Sequence, residues 1–354
     1  MTIGKTVRAI DLHCEGEPSR VLTDAHLLVS GSTMAERLEY CRTHLDDLRR
    51  FLLREPRGYP GMCSALVLPP TRPDADFGLV VMTQSGFSPM SGTNSICAVT
   101  ALLQTQALPA VAPVTSLVID TAVGPVRADA ALTDGRVDHV TVHNVPAFAT
   151  HLDVPLEVPG VGTVRADVAF GGQFVVQIAA RDVGVDLSPR AAKDITRVGA
   201  LVKMAAREQL SVRHPDNPAI DYIGLVMLHA PAVTPGTSAR TATVITTGEP
   251  VPDRPESWTG TLDRSPCGNA TCARLAVLHA RGELAEGDGF VNESLLGTTF
   301  TASVTSTTTA GPHRAVRPSI RGRAWVTGTA QFSLDPRDPF PAGFTLDDIW
   351  GTGR

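Results

Sequence analysis

Apolar residues recur at helical spacing from Met34 to Arg54, where Leu38, Cys41, Leu45, Leu48 and Leu52 fall on one face, and this predicts a single helix there. A second long helix is predicted over Leu187 to Glu208, entered near Ser188-Pro189, since proline suits a first turn. Elsewhere the pattern is extended. Gly124 to Leu132 and Arg136 to Val142 read as strands on either side of the turn pair Asp134-Gly135, with Val137, Val140 and Val142 as the apolar members of the second run. Gly162-Thr163-Val164-Arg165-Ala166-Asp167 echoes Gly124-Pro125-Val126-Arg127-Ala128-Asp129, a candidate for a repeated strand. Thr234 to Arg240 and Gly248 to Pro255 read as turn-rich loops. Ser303 to Gly311, rich in threonine, reads as an edge strand.

Two further stretches match each other. One runs Ser88-Pro89-Met90-Ser91-Gly92-Thr93-Asn94-Ser95-Ile96-Cys97, the other Ser265-Pro266-Cys267-Gly268-Asn269-Ala270-Thr271-Cys272. With Ser91 set against Cys267, Gly92 matches Gly268 and Ser95 matches Thr271. Ile96, Val99 and Leu102 then match Cys272, Leu275 and Leu278 at helical spacing. Each stretch predicts a proline-containing turn, a small nucleophilic side chain, a glycine and an amphipathic helix. One such unit in each half points to a duplicated architecture of two domains.

Composition narrows the function classes. A chain of 354 residues with 43% hydrophobic and 19% charged residues is long enough for about two packed domains. A formal charge of −5 gives no electrostatic footprint for nucleic acid or an anionic membrane. No apolar run reaches the roughly 18 residues of a spanning helix, and Met1 to Lys5 lacks the apolar core of a signal peptide, so a cytoplasmic protein is expected. The cysteines Cys14, Cys41, Cys63, Cys97, Cys267 and Cys272 form no Cys-x-x-Cys pair and are expected to be reduced thiols, with no metal site. Lysine occurs only at Lys5, Lys193 and Lys203, none in a setting that suggests a pyridoxal Schiff base. No glycine-rich dinucleotide or Walker loop is present, so no cofactor is expected.

The start of a helix offers unpaired N–H groups and the positive end of the dipole, and a glycine there admits a ligand close to the backbone. Such a place suits a carboxylate, and it should lower the pKa of a thiol held there. Cys267, between Pro266 and Gly268, fits that description. Taken alone it is more simply a small residue in a tight turn, but Ser91 at the matching position strengthens the chemical reading. Ser91 lacks the Gly-x-Ser-x-Gly elbow of a hydrolase, because Pro89 stands two residues before it. Cys97 and Cys272 read as core.

These motifs resemble those of the proline racemase family. Asp263-Arg264-Ser265-Pro266-Cys267-Gly268 resembles its second catalytic motif, and Met90-Ser91-Gly92 stands in place of the first. The resemblance also covers Asp11-x-His13-x-x-Gly16-Glu17-Pro18-x-Arg20-Val21, Glu55-Pro56-Arg57-Gly58, Asn144-Val145-Pro146-x-Phe148 and Phe170-Gly171-Gly172-Gln173-Phe174. It continues through Glu293-Ser294-x-x-Gly297-Thr298-x-Phe300, Gly322-x-Ala324 and Asp338-Pro339-Phe340 to Gly343-Phe344. It implies an α/β fold of two pseudo-symmetric domains, each a curled β-sheet around a central helix as in diaminopimelate epimerase, with the active site in the interdomain cleft. The expected domains are 1–148, carrying Ser91, and 149–324, carrying Cys267, with the segment from about 325 to 354 a candidate to pack back on the first. A small imino acid is the implied substrate and no cofactor is implied; a monomer or homodimer is expected.

Family members with two cysteines racemise proline or epimerise 4-hydroxyproline. Members with serine or threonine at the first place include trans-3-hydroxy-L-proline dehydratases, and some serine members epimerise 4-hydroxyproline. Thr93-Asn94, Asn269 and Tyr59 also depart from the usual residues, the first and last from histidine and Asn269 from threonine. A hydroxyl is a weaker acid than a thiol, so the Ser91/Cys267 pair favours a one-base reaction. Dehydration of trans-3-hydroxy-L-proline to Δ1-pyrroline-2-carboxylate is such a reaction, since its α-hydrogen and 3-hydroxyl share a face. It is therefore the expected activity, with 4-hydroxyproline 2-epimerase or proline racemase activity as the alternative. A catalytically silent imino-acid-binding relative and an isomerase of non-amino carboxylic acids are the readings from other classes. The implied roles are Cys267 as main base and acid and Ser91 as its partner on the opposite face. Gly92, Thr93, Asn94, Gly268 and Asn269 would line the substrate carboxylate, and Asp263 would meet the ring ammonium.

Overall fold

The computed structural model describes residues 6–218, 220–246, 250–335 and 337–350. Met1 to Lys5 and the Gly248-Glu249 part of an expected loop lie outside them. In chain order the first strands are β1 (Val7–Cys14), β2 (Glu17–Leu22), β3 (Cys63–Leu68), β4 (Phe77–Thr83), β5 (Gly86–Ser88), β6 (Val114–Thr121), β7 (Gly124–Thr133) and β8 (Arg136–His143). There follow β9 (Ala147–Val158), β10 (Gly162–Phe170), β11 (Phe174–Ala179), β12 (Ile223–Pro231), β13 (Ala239–Thr246) and β14 (Gly260–Leu262). The last are β15 (Gly289–Glu293), β16 (Thr299–Ala310), β17 (His313–Gly322) and β18 (Ala324–Phe332). The helices are α1 (Met34–His44), α2 (Asp46–Leu53), α3 (Gly92–Gln104), α4 (Ala192–Gln209) and α5 (Gly268–Ala280). Among the described residues no helix is long and apolar enough to cross a membrane.

The chain divides into two compact units, one formed by the chain up to Val142 with Gly322–Trp350, the other by His143–Arg321. In the first, the strand order β18-β1-β2-β3-β4-β6-β7 mixes antiparallel pairs with parallel β2–β3 and β4–β6. Helix α3 packs against β1, β2, β3, β7 and β18, and every residue from Gly92 to Leu103 is buried. In the second, the ladder β9-β10-β11-β12-β13-β15-β16-β17 returns to β9 through Ala315↔Phe148 and Val316↔Ala147, so the sheet closes on itself. Helix α5 packs against β9, β10, β11, β12 and β16 of that sheet. The sequence pattern predicts that both central helices are amphipathic. They are instead buried nearly all round, because their glycine, alanine, serine, threonine and cysteine side chains let strands approach from several sides.

The outer face of each sheet carries a second helical layer. Met34 to Arg54 is two helices, not one: Leu45 (φ −114°, ψ 14°) breaks it, and Asp46 and Asp47 open α2, where acidic side chains suit the dipole. The expected apolar face survives the break, since Leu38, Cys41, Leu45, Leu48 and Leu52 are all buried in one core with Leu22, Leu66, Val80 and Met82. Helix α4 does the same in the second unit with Ile195, Val198, Leu201 and Val202 against Phe170, Phe174, Val176 and Val226. The turn at Asp134-Gly135 takes φ of 51° and 74°, as a two-residue hairpin turn of the primed type requires. Ser303 to Gly311 is extended as expected: β16 pairs with β17 from Thr301 to Ala310 but with β15 only over Thr299–Ser303, so among the described residues Val304–Ala310 has a strand on one side alone.

Several motif residues are architectural. Buried Arg20 makes a two-pronged ion pair with Asp11 at 2.9 and 3.0 Å and donates to the carbonyls of Leu52 and Arg57. Arg57 in turn pairs with Asp338 and lies 4.1 Å over the Phe51 ring. In the second unit buried Glu293 accepts from Arg240 at 2.8 Å and from Thr234 at 2.5 Å, which holds its carboxyl down at about 2 from an ordinary 4.5. A carboxyl lowered on folding stabilises above its unfolded pKa and loses that contribution as pH falls toward its folded one. The stability difference between wild type and Glu293→Gln, from urea unfolding, should be constant between pH 7 and 5 and shrink between about 4.5 and 2. A difference independent of pH over that range would show that Glu293 is not the acid-labile partner.

Candidate active site

Met90 and Ser91 leave β5 and enter α3, with Ser91 (φ −150°, ψ 123°) as the N-cap. Its Oγ accepts from the Asn94 backbone N–H at 3.3 Å and from Asn94 Nδ2–H at 3.0 Å, and its carbonyl accepts from Ser95 N–H at 2.9 Å and Ser95 Oγ–H at 2.8 Å. The far side of the Asn94 amide is held by Ser19 on β2, whose Oγ–H donates to Oδ1 at 2.7 Å. The structure thus gathers Ser91, Gly92, Thr93 and Asn94 at one helix start, with all but half-buried Ser91 fully buried.

Cys267 is the corresponding residue of α5, and its backbone is unlike that of Ser91. It sits at φ 61°, ψ 113°, in the positive-φ region that side chains other than glycine avoid. Surrounding bonds hold it there. Pairing of β13 with β14 sets Leu262 opposite Val244, so Asp263 N–H reaches the Thr243 carbonyl at 2.9 Å. Asp263 Oδ1 accepts from Ser265 N–H at 2.9 Å and Oγ–H at 2.7 Å, and Ser265 Oγ accepts from Cys267 N–H at 3.1 Å. Behind the turn, Asn292 Nδ2–H donates to the Pro266 carbonyl at 3.2 Å and to Thr271 Oγ1 at 2.8 Å, while Thr241 Oγ1–H donates to Asn292 Oδ1 at 3.0 Å. Thr271 itself donates to the Pro266 carbonyl. Asp263, Cys267, Gly268 and Asn269 therefore share one helix start, all buried.

The electrostatics differ from the expectation of a thiolate poised by the helix. Burial pushes the Cys267 thiol well up, and the charge of Asp263, with which it shares a hydrogen bond, pushes it further. The N–H of Ala270 and the hydroxyl of Thr243, buried and otherwise without a partner among the described residues, act the other way but do not prevail. Burial also raises the Asp263 carboxyl, against the hydrogen bonds of Ser265 and Cys267. Burial and the Asp263 carboxylate thus act against the positive end of α5 at this sulfur. Cys41 and Cys272, pushed up to about 12 by burial, are inert core thiols, and among the described residues none of the six cysteines is in a disulfide.

The glycine pair before β11 supports the same helix start. A Cβ on Gly171 would lie 2.3 Å from the Asn269 carbonyl oxygen and 2.5 Å from Ala273 N. One on Gly172 would lie 2.6 Å from Asn269 Oδ1, a buried atom with no hydrogen-bond partner among the described residues. Asn144 Nδ2–H fixes the turn by donating to the Gly171 carbonyl at 2.9 Å. Ser19, Thr241, Thr243 and Asn292 carry no signal in the sequence, because only strand pairing brings them to the two turns; Tyr59 is exposed on the first unit.

The family model described as proline racemase matches residues 9–345. A 4-hydroxyproline 2-epimerase of Streptosporangium roseum is 41% identical over 346 residues, 98% of this chain and 100% of that protein. A proline racemase of Clostridioides difficile is 36% identical over the same shares. The crystal structure of a hydroxyproline epimerase from Agrobacterium vitis with bound trans-4-hydroxy-L-proline superposes with a TM-score of 0.89 at 36% identity, covering 98% of this chain and 96% of that one. A Bacillus anthracis protein of the PhzF family, at a TM-score of 0.60 and 10% identity over 93% of this chain and 100% of that one, shares the fold alone.

Proposed function

The chain belongs to the proline racemase family, and we propose that it is a cofactor-independent epimerase that inverts C2 of 4-hydroxyproline. Dehydration of trans-3-hydroxy-L-proline, expected from the Ser91/Cys267 pair, yields to this reading because the relatives above are named for inversion. The observation that carries it is the pair of matched helix starts, each with an N-cap residue whose side chain can carry a proton, Ser91 Oγ and Cys267 Sγ. First-turn N–H groups have no partner within their own helix. Those of Gly92, Thr93, Gly268 and Asn269 suit a substrate carboxylate and the negative charge that spreads onto it as the α-proton leaves.

Asp263 would meet the ring ammonium, and its place beside Cys267 gives that contact a second effect. The carboxylate charge is one reason the thiol is held protonated. A bound cation offsets that charge, so the thiol ionises when substrate is in place. The thiolate then takes the α-proton and becomes a thiol, and Ser91 gives a proton to the opposite face. Incubation with trans-4-hydroxy-L-proline, trans-3-hydroxy-L-proline and L-proline in deuterium oxide, followed by NMR, tests the proposal. The expected product is cis-4-hydroxy-D-proline carrying deuterium at C2. Formation of a pyrroline from the 3-hydroxy substrate, with no inversion of the 4-hydroxy one, would return the assignment to dehydration.

A further inference from the structure

A serine serving one face of a two-base inversion poses a chemical problem, because an ordinary hydroxyl is too weak an acid to protonate and deprotonate carbon in turn. The first unit contains an arrangement that addresses it. Ser91 Oγ accepts two N–H bonds from one residue, Asn94, at 3.0 and 3.3 Å. The amide is oriented by Ser19, whose hydroxyl donates to Oδ1 at 2.7 Å and so turns Nδ2 toward Ser91. Ser19 and Asn94 are 1% and 3% exposed, which removes water as a competitor for these bonds. Both acceptor directions of Ser91 Oγ are thereby filled, leaving its O–H to donate elsewhere.

We infer that Asn94, locked by Ser19, is a positioning residue that makes Ser91 a working proton carrier, rather than a contact to the substrate carboxylate. The inference rests on the epimerase reading. In the forward step the Cys267 thiolate takes the α-proton and becomes a thiol. Ser91 O–H gives its proton to the opposite face of the same carbon and becomes an alkoxide, whose charge the two N–H donors of Asn94 stabilise. Proton exchange with solvent returns a proton to Ser91 and removes one from Cys267. In the reverse direction the same two donors favour the alkoxide that abstracts the proton.

The test is Asn94→Asp, close in shape, which replaces the Nδ2 donor by an acceptor that takes the Ser91 proton for itself. Rates of α-hydrogen exchange with deuterium oxide are measured separately for trans-4-hydroxy-L-proline and cis-4-hydroxy-D-proline. The isomer whose α-hydrogen faces Ser91 should lose exchange by about 10²-fold, the lower range for removal of a working acid or base, while the isomer served by Cys267 keeps most of its rate. In a Ser91→Cys background, where the thiol is acidic without help, the uncharged Ser19→Ala substitution should leave the ratio of the two rates nearly unchanged. With Ser91 in place, Ser19→Ala, which releases the amide without adding charge, should shift the ratio in the same direction by a smaller factor and serves if the aspartate variant fails to fold. Equal loss at both isomers in these variants would mark a merely structural role and overturn the inference, leaving the epimerase reading intact. Wild-type protein that neither exchanges nor inverts either isomer would overturn both.

Discussion

Cys267→Ser is expected to abolish α-hydrogen exchange with the 4-hydroxyproline isomer whose α-hydrogen faces Cys267, and to lower epimerisation by about 10²–10⁴-fold, the range for loss of a general acid–base group. The substitution preserves shape, so the strained turn at φ 61° should persist: Asp263, Ser265 and Asn292 hold it through backbone atoms of Pro266 and Cys267 and not through the sulfur alone. What changes is acidity. Enclosure and the neighbouring Asp263 charge already hold the thiol protonated, and a hydroxyl starts several units higher, so offsetting Asp263 with a bound ammonium no longer suffices to ionise it. Alkylation of the wild type should mimic the loss. Pyrrole-2-carboxylate, planar like the deprotonated carbon, should protect, with the modified peptide mapping to Cys267 and not to Cys41 or Cys272. The measurements are NMR exchange rates with a melting curve beside them. A variant that melts normally and retains substantial turnover would remove Cys267 from the mechanism.

The residues that can be read from the sequence are those whose role is local. A proline turn, a small side chain and a glycine ahead of an apolar period of 3.6 announce a helix start wherever it is placed, so Ser91 and Cys267 are visible as a matched pair. The echo of Gly124 in Gly162 is local in the same way: both open a strand, at φ of 109° and 104°. What stays hidden depends on pairing between distant segments. Thr241 and Asn292 act on Pro266 only because β13 runs beside β15, with Ala239 opposite Asn292. Ser19 reaches Asn94 across 75 residues because β2 lies under α3. The state of the Cys267 thiol escapes the sequence for a related reason. The sequence displays the helix dipole, which lowers the pKa, but not the depth of burial or the position of Asp263, both of which push it up.

Gly171→Ala should cause the largest loss from any change outside the reacting groups. Two backbones meet at this position: the turn between β10 and β11, and the first turns of α5. The added Cβ would lie 2.3 Å from the Asn269 carbonyl oxygen, 2.5 Å from Ala273 N and 3.1 Å from Ala273 Cα, all main-chain atoms of the helix. No rotamer change relieves such contacts, so either the turn or the helix must move. The turn is tied by Asn144 Nδ2–H to the Gly171 carbonyl and by Gly171 N–H to the Gln173 carbonyl at 3.0 Å, and it lies between two paired strands. Helix α5 is enclosed by β9 to β12 and β16. With both sides held, overpacking strain should reach the upper part of its usual range, about 3 kcal/mol, in destabilisation. Movement of α5 by a few tenths of an ångström shifts Cys267 and Gly268 with it, and acid–base transfer is sensitive to displacement on that scale. Turnover should therefore fall further than the folded fraction does. Gly328→Ala in β18, where a new Cβ meets nothing within 4 Å, is the control and should leave melting and turnover unchanged. Denaturant unfolding and the exchange assay, run on both variants, decide the matter. A Gly171→Ala variant as stable and as active as the control would mean that the helix start tolerates displacement, and that the glycine pair does not fix the position of Cys267.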